Sequence, residues 1–462
     1  MMLAVVVFAT LMDGIDGSIV NVALPTIGSD FGVDAAIASW VSVTYMMVLA
    51  GVLILCAKIA TNIGIRRVMV AGLTFFTVGS LVCGVSTSFE MLIIARIIQG
   101  LGAAMMGAAG PMCCVAYLPV SRLAFGLAMI TVGSAVGFAL GPALGGVIIE
   151  ILSWHWIFLI NIPIGIVAIP LMLHAVPKDP KDRTKKHMDL LGASLFCTSI
   201  VLGTYALESA KDAAGMETAL ICAGLCLIFI ISFAALELKK KHPLLNVRLF
   251  RHGDFVAIFL CLLLMNMSYM GMLYLIPFYT EICLGYNALI SGLLLLIPAA
   301  LTSFICMPIA RWSDQKGRRA FCVAAGAFLC FGFGFFALTG HYESLLLMIP
   351  SLLGMGLGWA FTGGPMGSRL IEHVDRDERE MVASLTNEAY YIGGTVGTAL
   401  FAILFTKFSA SESIEISALT NSVFLDGFIP CAAFAAACCA LIMILSAVVH
   451  DSGITSWQKK KT

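Results

Sequence analysis

Charge is what this sequence has least of. Asp, Glu, Lys and Arg together make up 12% of its 462 residues, against 60% hydrophobic residues and a mean hydropathy of +0.99. A soluble domain is about a quarter charged. Half of that leaves too little polar surface to face water and excludes a soluble globular fold; a lipid bilayer is the solvent that removes the difficulty. Net charge is lacking as well. The formal balance is zero, which offers no electrostatic footprint for nucleic acid or an acidic partner. Long polar segments are missing, so there is no room for a catalytic domain outside the membrane. The eight histidines fall in loops or at the ends of apolar runs, and no cysteine pair stands at zinc-ligand spacing beside one. An intramembrane enzyme would need such a cluster, and no metal or cofactor is expected. The fifteen cysteines lie almost all inside apolar runs, where a thiol behaves as a small hydrophobe. A cleavable leader is not expected either, because the first apolar run carries Asp13 and Asp16.

What is abundant is the apolar window of about twenty residues that marks a spanning helix. Fourteen can be placed, at 3–24, 38–60, 67–87, 91–117, 124–148, 157–176, 190–208, 218–237, 255–280, 289–310, 320–339, 344–366, 382–406 and 425–449. An even number puts both termini on one side. All but three of the 27 Lys and Arg then fall on that side; Lys211 and Lys407 lie opposite, and Arg96 is inside a span. The bias of basic residues makes the terminal side cytoplasmic. The two longest connections there, 177–189 and 238–254, bracket spans 7 and 8. The expected fold is all-α and integral to the membrane. It comprises a six-helix bundle over 1–176, a linker with two inserted helices over 177–254, a second six-helix bundle over 255–449 and a cytoplasmic tail over 450–462.

Chemistry is expected where polar side chains sit at membrane depth, since an ionisable group there is expensive. Asp13 and Asp16 lie near the middle of span 1, roughly 15–20 Å into a core of about 30 Å. Their i,i+3 spacing puts them on one face. Asp16 is read as the proton and cation site, with Asp13 in support; the structural alternative pairs Asp16 with Arg96 or caps it with Ser18 and Asn21. Arg96 and Gln99 share a face of span 4, and Asn161, Asn266, Tyr269, Tyr274, Asn387, Tyr390 and Tyr391 add further polar groups inside spans. Glu388 is the candidate second proton or cation site, with an ion pair to a nearby Arg as its structural alternative. Span 5 carries Gly133, Gly137, Gly141, Pro142, Gly145 and Gly146, a seam where another helix can approach closely and a proline that bends it. Abundant Met and Phe would suit an adaptable cavity for lipophilic compounds.

The loop after span 2 holds Gly64, Arg66 and Arg67, and the loop after span 10 holds Asp314, Gly317, Arg318 and Arg319. With spans 7 and 8 set aside, the two loops fall at matching places in two six-helix halves. They are the clearest sign of an internal repeat.

These residues resemble the major facilitator superfamily, in particular its fourteen-helix drug:proton antiporter branch, and the resemblance covers essentially the whole chain. The segments that carry it are Asp16 to Pro25 in span 1, Arg96 to Gly102 in span 4, Gly137 to Gly146 in span 5, and Trp154 to Gly165 leading into span 6. The resemblance implies alternating access between two bundles, protons as the coupling ion, and export of a lipophilic small molecule, with cationic compounds among the classes. A monomer in the plasma membrane is the usual form. Two positions depart from the family pattern. Thr61 stands where the loop after span 2 usually has an acid thought to latch the outward-facing state, and His155 stands where an Arg is usual. On the same scaffold a lipid or glycolipid flippase, or a dedicated metabolite exporter, is the competing expectation.

Overall fold

The structure is a computed structural model that describes residues 2–33, 35–178, 189–210, 215–240, 243–286, 288–409 and 420–449. Lys181, Arg183, Lys185, Lys186, Lys211, Lys241 and the tail lysines 459–461, which entered the charge count, lie outside the described residues. Fourteen helices are long and apolar enough to cross a membrane among the described residues. They are α1 (Met2–Phe31), α2 (Ala35–Ile63), α3 (Ile65–Gly84), α4 (Phe89–Tyr117), α5 (Leu123–Ile151), α6 (Trp156–Ala175, interrupted at Ile160), α7 (Leu190–Ser209), α8 (Met216–Lys239), α9 (Gly253–Phe278), α10 (Ala288–Lys316), α11 (Arg319–Thr339), α12 (Leu345–Glu372), α13 (Arg379–Ser409) and α14 (Asn421–Val448). Several run past their apolar windows; α1 continues through Pro25 to Phe31. Apolar windows end at the first polar residues. Backbone groups still need internal hydrogen bonds in the interfacial layer, so the helix persists there.

In the first half α1 packs on α5, α3 on α4, and α4 on α2. The second half repeats the scheme, with α9 on α13, α11 on α12 and α14, and α10 on α12. The α7–α8 pair attaches through α7 to α2 and α13. Its outer helix presents Leu220, Ile221, Leu227, Ile228 and Ile231 outward, as a lipid-facing surface requires.

The two repeat loops share a backbone feature. Gly64 has φ +120° and Gly317 φ +94°, values open to glycine and strained for other residues. Each lets one helix end and the next begin almost at once.

Small residues decide the α1–α5 contact. A Cβ on Gly137 would lie 2.6 Å from the Leu11 carbonyl oxygen and 2.9 Å from the Ile15 amide nitrogen, backbone atoms that cannot yield. Gly133, Gly141 and Gly145 meet α1 in the same way, whereas Gly146 has nothing within 4 Å and lies outside the seam. Gly137→Ala should therefore destabilise by about 1–3 kcal/mol, the usual effect of overpacking, and Gly146→Ala should be neutral. Thermal unfolding of the detergent-solubilised variants tests the contrast; equal stability of the two would contradict the seam.

Candidate functional site

A buried polar network joins α1, α3, α4 and α6. Asp16 is fully buried and accepts from Arg96 Nη1 at 2.6 Å, with Arg96 1% exposed. The Arg96 side chain also donates to the Val41 carbonyl at 2.8 Å and to Gln99 Oε1 at 2.7 Å. Gln99 Nε2 donates to Asp16 Oδ1 at 2.7 Å and to Ser80 Oγ at 2.8 Å, and Asn161 Nδ2 reaches the same two atoms at 3.4 Å. Four helices thus converge on one ion pair. Such a pair survives burial only when its remaining hydrogen-bonding positions are filled, and here several are. Neither Ser18 nor Asn21 caps Asp16. Ser18 bonds back to Gly14 and Ile15, while Asn21 is exposed and accepts from Ser42 at 2.9 Å, tying α1 to α2.

Asp13, one turn earlier, has a different setting. Tyr45 on α2 donates to its Oδ1 at 2.5 Å, and Tyr391 on α13 donates to its Oδ2 at 2.6 Å. Tyr45 belongs to the same half as Asp13 and Tyr391 to the other, so one carboxylate bridges the two bundles. The Tyr45 ring also lies under the Arg96 guanidinium, 4.2 Å from its centroid, and so connects the bridge to the ion pair. Sequence reasoning did not single out Tyr45 or Ser80. The only signal was a tyrosine well inside an apolar run, which is also what an interfacial tyrosine looks like.

Glu388 is 1% exposed, and neither carboxyl oxygen meets a hydrogen-bond partner. The ion pair that its position suggested is not formed. It stands within electrostatic range of Cys56 on α2 and Cys197 on α7, on the flank where the inserted pair docks.

Between the halves lies a cavity with about 70 Å³ of water-accessible space. Thr10, Ser134, Asn266, Trp359, Asn387, Tyr390 and Tyr391 are among its walls. Asn387 Nδ2 donates across the interface to the Gly107 carbonyl at 2.7 Å. Tyr269 stands behind the wall, its ring 4.0 Å from that of Trp359. The expected lining of Met and Phe is not found: Met265 is the sole methionine among the lining residues, and no phenylalanine is among them. Both residue types are spent instead on helix packing, where Phe76, Phe158, Phe333, Phe401 and Phe405 are buried. Drug-sized sites occupy about 300–1,000 Å³, so this cavity must widen to hold one.

Contacts that join the halves cluster toward the side of the termini. Asp314 at the end of α10 accepts from the Ala124 and Phe125 amides, both at 3.4 Å, and from Arg318 at 2.8 Å. A carboxylate at the α5 N-terminus meets the positive end of its dipole. Arg318 also pairs with Glu372, and Arg319 holds the Ala447 carbonyl. Ser384 donates to the Ala108 carbonyl at 2.8 Å. The matching loop after α2 works differently. Arg66 donates to the Leu173 carbonyl and Arg67 to that of Ile63. Thr61, in place of an acid, donates to the Lys58 carbonyl at 2.8 Å, and the Lys58 ammonium donates to the Pro243 carbonyl at 2.6 Å. Three residues on, Asn246 donates to Glu378 at 2.5 Å, just before α13. The segment after the inserted pair thus ties α2 to the entrance of α13.

Residues 6–398 match the model of the Major Facilitator Superfamily, and the chain belongs to that family. It is a multi-pass membrane transporter, not an enzyme. The riboflavin transporter RibZ of Clostridioides difficile is 28% identical over 434 residues, covering 92% of this chain and 93% of that protein. The multidrug resistance protein B homolog of Mycobacterium tuberculosis is 28% identical over 419 residues, covering 89% and 77%. Among solved structures, the human organic anion transporter MFSD10 superposes with a TM-score of 0.68 at 16% identity, covering 96% of this chain and 98% of that one. The proton:xylose symporter XylE gives 0.68 at 13% identity, covering 98% and 96%. These two share the fold.

The two aspartates should differ in what they support. Asp16→Asn leaves the Arg96 charge without its counter-charge and should cost about 3–5 kcal/mol of stability. Asp13→Asn keeps an acceptor for one tyrosine and should cost no more than about 1–2 kcal/mol. Thermal unfolding in detergent separates them, and a greater loss from Asp13→Asn would reverse the assignment.

Proposed function

We propose that this transporter exports small amphipathic compounds in exchange for protons, by alternating access between its two bundles. Asp13 is the carboxylate that loads and unloads the proton. Asp16 and Arg96 set the field around it through Tyr45, and Glu388, buried with neither oxygen bonded, is a second candidate proton carrier.

The observation that carries the reading is the pair of tyrosine bonds to Asp13 from opposite halves. Both carboxylate oxygens act as acceptors. A protonated carboxyl keeps acceptor capacity but carries an O–H that donates, so one of the two bonds is weakened or reversed in direction. We take the affected bond to be the one from Tyr391, so that a proton arriving at Asp13 acts on a contact between the bundles, which is what coupling requires. One pH unit supplies about 1.4 kcal/mol and each 100 mV about 2.3 kcal/mol per charge, enough to bias such a switch.

The basic residues clustered at the terminal side support a plasma-membrane protein with cytoplasmic termini. The cytoplasmic side is then the closed one. Similar proteins named for multidrug resistance and for riboflavin transport support small-molecule cargo of either broad or dedicated kind. The dedicated metabolite exporter is the second reading.

In proteoliposomes with an imposed pH gradient, a transported compound should drive proton flux through the wild type. Asp13→Asn should lower that flux at least tenfold while substrate exchange without a gradient continues. Undiminished proton flux in the variant would remove Asp13 from the coupling role.

A further inference from the structure

The central cavity has a chemical character of its own. Among the described residues that line it there is no Asp, Glu, Lys, Arg or His. The acids nearby stand outside the lining. Both oxygens of Asp13 are taken by Tyr45 and Tyr391. Asp16 is held by Arg96 and Gln99. Glu388 is not part of the lining; it stands within electrostatic range of Cys56 on α2 and Cys197 on α7 and also of the lining residue Tyr391. A cation entering this cavity would give up its hydration and meet no charged side chain on the walls, an unfavourable exchange in a medium of low dielectric.

What the cavity does offer is flat aromatic surface and neutral hydrogen-bonding groups. Trp359 is backed by Tyr269 at 4.0 Å and met edge-on by Tyr390 at 6.1 Å and an interplanar angle of 69°. Tyr390 in turn stands at 90° to Tyr391. The rings brace one another into a wall. On the same side, Asn266 is 2% exposed. Its Nδ2 donates to the Leu262 carbonyl at 2.8 Å, and its Oδ1 meets no partner. A buried amide oxygen without a partner is costly to maintain and is suited to an incoming N–H or O–H.

We infer that the transported compound is an uncharged, flat aromatic molecule carrying a hydrogen-bond donor, its ring against Trp359 or Tyr390 and its donor on Asn266. The inference rests on the reading of this cavity as the transport site. It selects the neutral class over the cationic one that the acids in α1 suggest. A flat ring also asks for the least widening of a cavity this narrow.

Equilibrium binding to the purified, detergent-solubilised wild type, with no gradient present, tests it. The probes are two fluorescent three-ring compounds of similar size: lumichrome, neutral with ring N–H donors, and proflavine, a cation at neutral pH. Lumichrome should bind saturably and at least tenfold more tightly than proflavine. Trp359→Leu and Asn266→Leu should each weaken lumichrome at least fivefold, and Asn266→Asp should shift the preference toward proflavine, in samples that remain monodisperse. Tighter binding of proflavine by the wild type, or saturable binding of neither, would overturn the inference. The comparison on wild type needs no variant to fold. Proton flux driven by proflavine alone would leave the antiport reading standing and this inference refuted. Lumichrome binding without any proton flux would do the reverse.

Discussion

A carboxylate inside a bilayer has no water to turn to, so its fate depends on the partners the protein supplies. In α1 two carboxylates one turn apart receive opposite treatment. Asp16 meets a guanidinium and two amides and is fixed among four helices. Asp13 meets only two phenolic hydroxyls, which hold it without neutralising it. The first arrangement is structural because a full charge pair lies inside it. On the proposed reading the second is a switch, because its geometry depends on whether the carboxyl accepts two bonds or donates one. Tyr45 belongs to both, its hydroxyl on Asp13 and its ring against Arg96. The ion pair therefore positions the switch.

The closed side shows how a repeated scaffold can be latched unequally. In the second half an acid at the end of α10 caps the start of α5, as the loop pattern suggests. In the first half the acid is missing, and Thr61 in its place donates to the Lys58 carbonyl. Lys58 is drawn onto the segment that follows the inserted helices, and Glu237 steadies that segment by accepting from the Leu244 and Leu245 amides. The inserted pair adds lipid-facing surface on its outer helix and also supplies a strap between the halves.

Much of this was legible in the sequence, and the reasons are physical. Span number follows from hydropathy and the placement of basic residues, because the bilayer leaves few alternatives. Asp16, Arg96, Gln99 and Asn161 stood out singly as polar groups at membrane depth. Their convergence did not, since which helices touch is decided by packing and not by any period in the chain. The pairing of Asp16 with Arg96 was foreseen as a structural alternative; the bridge from Asp13 to Tyr391 was not, since 378 residues separate its ends. The glycine seam was visible in its spacing, but only the structure assigns it to α1 and leaves Gly146 out. The cavity was least legible. Abundant Met and Phe pointed to a lining of those residues, and the residues that line it combine hydroxyls, amides and braced aromatic rings with Leu127, Ile130, Leu262 and Met265.

The central claim is that protonation of Asp13 releases the contact between the bundles. Spin–spin distances report it directly, with non-native spin-labelled residues placed at the exposed positions Arg122 and Lys316, one on each half at the closed side. The account predicts that lowering the pH moves the wild type from a short to a longer distance. It also predicts that Asp13→Asn shows the longer distance at every pH. A wild-type distribution unmoved by pH, or an Asp13→Asn variant that keeps the short distance throughout, would contradict it.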